Sequence, residues 1–127
     1  MGKHTFRKAE RLHREKHIQE LFDKGSSFYL FPFKVFVAPH PDPGYPVNQI
    51  LITVSNRNFK RAVDRNLLKR RIREAYRLQK EILPESPRII FALVYAHKEI
   101  MLFDDLKSRL RATLERIPKT AKLPPKK

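Results

Sequence analysis

The sequence predicts an α+β domain in which amphipathic helices pack on a small sheet. Three patterns in its 127 residues carry that expectation. Apolar side chains, many of them aromatic or β-branched, alternate or run together in the stretches 28–38, 49–55 and 88–96, which read as strands. Between the second and third stretches lies a long segment whose apolar residues recur at helical spacing, so a helix connects two strands. Further helical patterns stand at either end. The order is therefore helix, strands, basic helix, strand, helix, an α+β or α/β sandwich.

The first helix is expected within Arg7 to Lys24, where Ile18, Leu21 and Phe22 fall at helical spacing and Gly25 is placed to stop it. From Phe28 to Ala38, alternation sets Phe31, Phe33, Val35 and Val37 on one face of a strand and Lys34 and Phe36 on the other. Pro32 confines the start of this strand to an edge or a bulge. The run 39–46 contains four prolines, which remove donors and fix φ, so it is a loop leading to the next strand, Gln49 to Ser55. A helix then runs from near Phe59 to about Leu83, ended by Pro84 and Pro87. A buried strand, Arg88 to Ala96, follows, and a last helix spans Phe103 to Ile117 with Leu106, Leu110 and Leu114 four residues apart. Residues 1–117 read as a single domain. Residues 118–127 are lysine and proline without periodicity, a basic tail expected to be disordered.

Charge is the loudest feature. Lysine and arginine number 28 against 13 acids, a net +15, which repels itself unless a polyanion neutralises it. Nucleic acid is the common polyanion, anionic membrane the rarer one. The charge is also concentrated: Arg57 to Lys80 holds ten basic residues and two acids, whereas Gly25 to Asn56 holds only Lys34 and Asp42. The hydrophobic fraction of 41% suffices for a core, and the absence of cysteine excludes disulfides and thiolate chemistry. No stretch approaches the roughly 18 apolar residues of a membrane span, and no apolar leader opens the chain, so a cytoplasmic protein is expected.

At 100° per residue, Val63, Leu67, Leu68, Ile72, Ala75, Tyr76, Leu78 and Ile82 of the central helix fall within an arc of about 220°. Arg65, Asn66, Lys69, Arg70, Arg73 and Arg77 take the complementary arc, with few acids in position to pair with them. Such a row offers guanidinium forks to phosphates, and an asparagine that can read a base edge or a 2′-hydroxyl. Asp64 suits the positive end of the helix; Arg71 projects to the apolar side without an evident role. Phe36 points away from Phe33, Val35 and Val37, and with Phe22 it offers a stacking platform for unpaired bases. Equally, Phe22 fits a second small core between helix and sheet. The histidines are His4, His13, His17, His40 and His97. His13 and His17 share a helix face at metal-ligand spacing, but HExxH is absent and no acid clusters with them, so they read as exposed polar residues or weak RNA contacts. With glycine only at positions 2, 25 and 44, there is no phosphate-cradling loop. No catalytic constellation and no metal site is visible.

The run from Phe59 through Ala62, Arg65-Asn66, Lys69-Arg70 and Arg73 to Arg77 resembles the signature of the bacterial ribonuclease P protein component. Glu10-Arg11-Leu12, Phe22 and Gly25 are similar to that family's opening helix, and Pro32-Phe33 and Val54-Ser55 leading to Arg57 to its central strands. The resemblance covers all but the tail. It implies a two-layer sandwich in α-β-β-β-α-β-α order with a left-handed β-α-β crossover, the ribosomal protein S5 domain 2-like arrangement. It implies that a partner RNA holds the magnesium ions and performs the hydrolysis, while the protein supplies no catalytic group and binds no cofactor tightly. The RNA-binding residues map to Arg57, Arg61, Arg65, Asn66, Lys69, Arg70, Arg73 and Arg77. A cleft for the 5′ leader of precursor tRNA maps to Phe22 and Phe36 with Lys34 nearby. Three departures stand out: Leu67 where a further basic residue is common, no glycine before the helix, and Ile18 where an aromatic often lies, which implies a thinner platform.

The strongest rival expectation is a structural ribosomal-RNA-binding protein without a role in tRNA processing. A DNA-binding regulator lacks a dimerisation heptad or helix-turn-helix spacing, and an autonomous nuclease lacks a visible active site.

Overall fold

The computed structural model of the chain describes residues 6–84 and 86–120. A 3-10 turn at Lys8–Glu10 precedes α1 (Glu15–Lys24); β1 (Ser26–Leu30), β2 (Phe33–Pro39) and β3 (Gln49–Val54) follow. Then come α2 (Ala62–Gln79), a 3-10 turn at Lys80–Ile82, β4 (Ile89–Tyr95) and α3 (Phe103–Thr120). The four strands form one mixed sheet in the order β1-β2-β4-β3, antiparallel except for the parallel pair β3 and β4 that α2 connects.

Strand alternation divides the apolar side chains between two cores. Phe33, Val35, Val37, Ile89, Phe91, Leu93 and Tyr95 meet Leu68, Ile72, Ala75 and Tyr76 of α2 and Leu106, Leu110, Leu114 and Ile117 of α3. On the opposite face Ile90 and Ala92, with Phe36, Ala38 and Leu51, pack under Leu12, Ile18 and Leu21. The expected two layers thus describe the large core, and α1 adds cover to part of the other face.

Several boundaries differ from the sequence reading. The stretch 28–38 is two antiparallel strands, because the chain reverses at Phe31-Pro32 and pairs Leu30 with Phe33. The helix expected from Arg7 begins only at Glu15, because the residues before it are held along the edge of β3. Leu12 N–H donates to the Ile50 carbonyl at 2.9 Å, and Arg11 bridges to Ile50 in parallel. Helix α2 begins at Ala62 rather than Phe59, whose ring is buried in the large core. Val63, placed on the apolar arc, is 58% exposed, since it lies in the first turn beyond the reach of the sheet. Helix α3 runs through Pro118 to Thr120, past the Ile117 end expected for it, with Ile117 fully buried; the rest of the expected basic tail, residues 121–127, lies outside the described residues.

Gly25 does stop α1, though not by a left-handed turn: its φ is −69°. A Cβ there would collide with the Leu21 carbonyl oxygen and sit 3.1 Å from the Val37 carbonyl, so helix and strand approach too closely for a side chain. The N-terminal segment is also latched to the far end of α2. The carboxylate of Glu10, 3% exposed, accepts hydrogen bonds from Lys80 Nζ at 2.8 and 3.0 Å and from the Arg7 N–H at 2.7 Å.

A candidate nucleic-acid interface

Helix α2 owes its position to its apolar face. Leu68, Ile72, Ala75 and Tyr76 seat it on the sheet, which leaves Asn66 and Arg70 exposed and Lys69 and Arg73 half-buried along its outer side. From Arg65 to Arg77 this row is about 18 Å long at 1.5 Å per residue. Among the described residues, Asn66, Lys69, Arg70 and Arg73 make no hydrogen bond or ion pair through their side chains, so their donors face outward.

The two ends of the row behave differently. Arg65 Nη1 donates to the carbonyls of Phe59 at 2.7 Å and Lys60 at 2.9 Å, so its guanidinium braces the turn that starts the helix. No side chain caps that start, because Arg61 stands at the N-cap. Arg77 is paired with Glu74 through two bonds of 2.9 and 2.6 Å, an i,i+3 pair made by one of the few acids expected on this helix. These bonds hold the Glu74 carboxyl below its ordinary range and raise the Arg77 guanidinium. Arg61 is exposed and stands 3.8 Å from Asp64; Arg57 is exposed in the preceding turn. Arg71 acquires the role its sequence position did not suggest: its Nη1 donates to the Met101 carbonyl at 2.7 Å and ties α2 to the approach to α3.

The segment along β3 brings a further cation to this side. The Arg11 guanidinium lies 5.5 Å from the Phe6 ring centroid, and that ring meets Tyr76 edge-on at 6.0 Å, one turn along α2 from Arg73. Burial, with repulsion from Arg11, lowers the pKa of Arg73, so the two guanidiniums lie close enough to feel each other. Arg11 had no place among the predicted contacts, because its arrival depends on the chain wrapping the sheet edge.

On the opposite face the predicted cleft residues do come together. The Phe22 and Phe36 rings are 4.7 Å apart at 66°, and Lys34 Nζ is 5.7 Å from the Phe36 centroid. The geometry of Phe22 falls between its two readings, while its contact with bases belongs to the function proposed below. A small core does lie under α1, and Phe36 packs against it, while Phe22 stays 37% exposed at its rim.

His13 and His17 do not share a helix face, since His13 precedes α1. Both instead line a pocket of about 280 Å³ with Arg14, His40, Pro41, Asp42, Tyr45 and Gln49. Among the described residues no three His, Asp or Glu side chains are arranged to hold a metal ion, and no helix is long and apolar enough to cross a membrane.

Residues 6–119 match the family model described as Ribonuclease P. The chain is 35% identical over 89 residues to the ribonuclease P protein component of Porphyromonas gingivalis, an alignment of 68% of this chain and 65% of that relative. It is 37% identical over 87 residues to the corresponding protein of Petrotoga mobilis, covering 68% of this chain and 70% of the relative. The solved structure of the ribonuclease P protein from Thermotoga maritima superposes with a TM-score of 0.71 at 25% identity, over 84% of this chain and 96% of that one. The outward cationic row, the mixed sheet and a match across nearly the whole described chain agree: the chain belongs to the ribonuclease P protein family.

Proposed function

We propose that this chain is the protein subunit of a ribonuclease P ribonucleoprotein working in the cytoplasm. In this reading Arg57, Arg61, Arg65, Asn66, Lys69, Arg70, Arg73 and Arg77 bind the catalytic RNA, and Phe22, Lys34 and Phe36 bind the 5′ leader of precursor tRNA. The chain then assists the endonucleolytic cut that leaves the mature tRNA 5′ end. The observation that carries it is the outer row of α2, seated on the large core, where Asn66, Lys69, Arg70 and Arg73 pair with no carboxylate among the described residues. The family membership supports the same reading, as well as a left-handed sense for the β3-α2-β4 crossover.

Joining a catalytic RNA to a tRNA precursor brings two polyanions together, and their repulsion weakens both substrate binding and retention of the metal ions that RNA catalysis needs. A fixed cationic row at the junction lowers that repulsion without donating a catalytic group. Magnesium, in this scheme, belongs to the RNA, which supplies the chemistry of phosphodiester hydrolysis. Reconstitution tests the proposal: the protein is added to a bacterial ribonuclease P RNA at low magnesium with a 5′-labelled precursor tRNA. Leader removal should require both components. A protein that cleaves alone, or that leaves the RNA's cleavage unchanged, contradicts the proposal.

A further inference from the structure

The pocket beside the start of α1 is built more firmly than a surface hollow. The His40 Nδ1 accepts the Asp42 N–H at 3.0 Å, which leaves Nε2 as the donor to Gln49 Oε1 at 2.9 Å. The Gln49 amide in turn donates to the carbonyls of Ala9 at 3.1 Å and Arg11 at 3.3 Å and to Tyr45 Oη at 3.1 Å, and Tyr45 Oη donates to the Ala9 carbonyl at 2.9 Å. This network fixes one tautomer and one orientation of a His40–Tyr45 stack, with rings 4.5 Å apart and 12° from parallel. The pocket is therefore pre-formed. Its one lining carboxylate, Asp42, accepts the Gly44 N–H at 3.0 Å.

Other lining groups still have hydrogen-bonding capacity. His17 Nδ1 is buried without any partner, an unusual condition for a polar atom. His13 donates from Nδ1 to the Arg11 carbonyl at 3.1 Å, so its Nε2 is available. Arg14 is exposed at the N-cap of α1, where the first intrahelical bond is Ile18 N–H to Arg14 O. The amides of Glu15, Lys16 and His17 precede that bond and favour an anion. A cation, imidazole donors and acceptors, and aromatic rings around a volume fit for one base describe a nucleotide subsite. Its place in the fold points the same way. The segment that wraps the β3 edge connects Arg11, beside Arg73, to α1, which carries Phe22, and the pocket lies along that segment.

We propose that this pocket takes one unpaired nucleotide of the 5′ leader, a second subsite about 7.5 Å along α1 from Phe22, separate from the Phe22–Phe36 platform. The inference rests on the leader-binding reading above. The test uses the protein assembled with ribonuclease P RNA and precursor tRNAs whose leaders are lengthened one nucleotide at a time. Affinity should step up at two distinct leader lengths, each step about tenfold. Arg14→Ala and His17→Gln should abolish one step and leave mature tRNA binding unchanged, while Phe36→Ala abolishes the other. Arg14 is exposed, so its variant keeps the test valid should His17→Gln perturb folding. If both steps survive in Arg14→Ala and His17→Gln while Phe36→Ala loses one, the subsite is wrong and the leader platform stands. Affinity independent of leader length would overturn both ideas, and equal losses for mature tRNA would overturn the assignment of the pocket to the leader.

Discussion

Replacing Lys69, Arg70 and Arg73 together with alanine should weaken binding to a bacterial ribonuclease P RNA by about two orders of magnitude near 0.15 M salt. Each lost phosphate contact lowers the dependence of log affinity on log salt by about 0.9, and three such losses at that salt amount to roughly a hundredfold. Folding should survive, because the three side chains have no hydrogen-bond or ion-pair partner among the described residues and alanine is the best helix former. Arg65 and Arg77 are poorer positions for this test. Arg65 braces the turn before α2, and Arg77 holds Glu74, so their removal mixes stability with binding. A filter-binding titration with refolded wild type as reference reads the loss directly. Wild-type affinity in the triple variant would mean that the RNA meets another face.

Glu10→Ala should destabilise the domain by about 3 kcal/mol, because it removes one member of a buried ion pair together with the acceptor of the Arg7 N–H. For a chain of this size that is a melting temperature lower by about 10 °C. Glu10 is 3% exposed, and its partner Lys80 has a side chain only 17% exposed. The pair also anchors the segment that delivers Arg11 to α2 and frames the histidine pocket, so leader-dependent affinity should fall with stability. Burial and the Glu10 charge together raise the Tyr76 hydroxyl pKa far above its ordinary value, so Tyr76 stays neutral throughout and does not confuse the melt. A Glu10→Ala protein that melts with the wild type would show that the latch contributes nothing.

What the sequence disclosed and what it hid follow from the range of the forces involved. Helix α2 was legible because its periodicity is local: Leu68, Ile72, Ala75 and Tyr76 announce a buried stripe wherever the chain goes. Periodicity alone hid the β1–β2 hairpin, because Phe31 and Phe33 continue the alternation through the reversal; three strands before the central helix were expected only from the family resemblance. The late start of α1 was equally hidden, since residues 9–12 satisfy their backbone groups against β3 and Gln49, some forty positions away. That one error misplaced His13 on a helix and concealed the pocket. Helical geometry gave the direction of the basic row but not the reach of its side chains. Thus Arg65 folding back onto Phe59 and Lys60, and Arg71 finding Met101, became apparent only in three dimensions. The Glu10–Lys80 pair spans seventy positions and carries no local signal, because an acid among basic residues reads as a solvated charge.

The most direct measurement is the salt dependence of RNA affinity for the wild type and the Lys69/Arg70/Arg73 triple alanine variant, plotted as log affinity against log salt. If α2 lays these side chains on phosphates, both plots are linear and the variant's slope is shallower by about 2.7. Two parallel lines would place the phosphate contacts elsewhere on the protein and contradict the reading of α2 as its RNA-binding ridge.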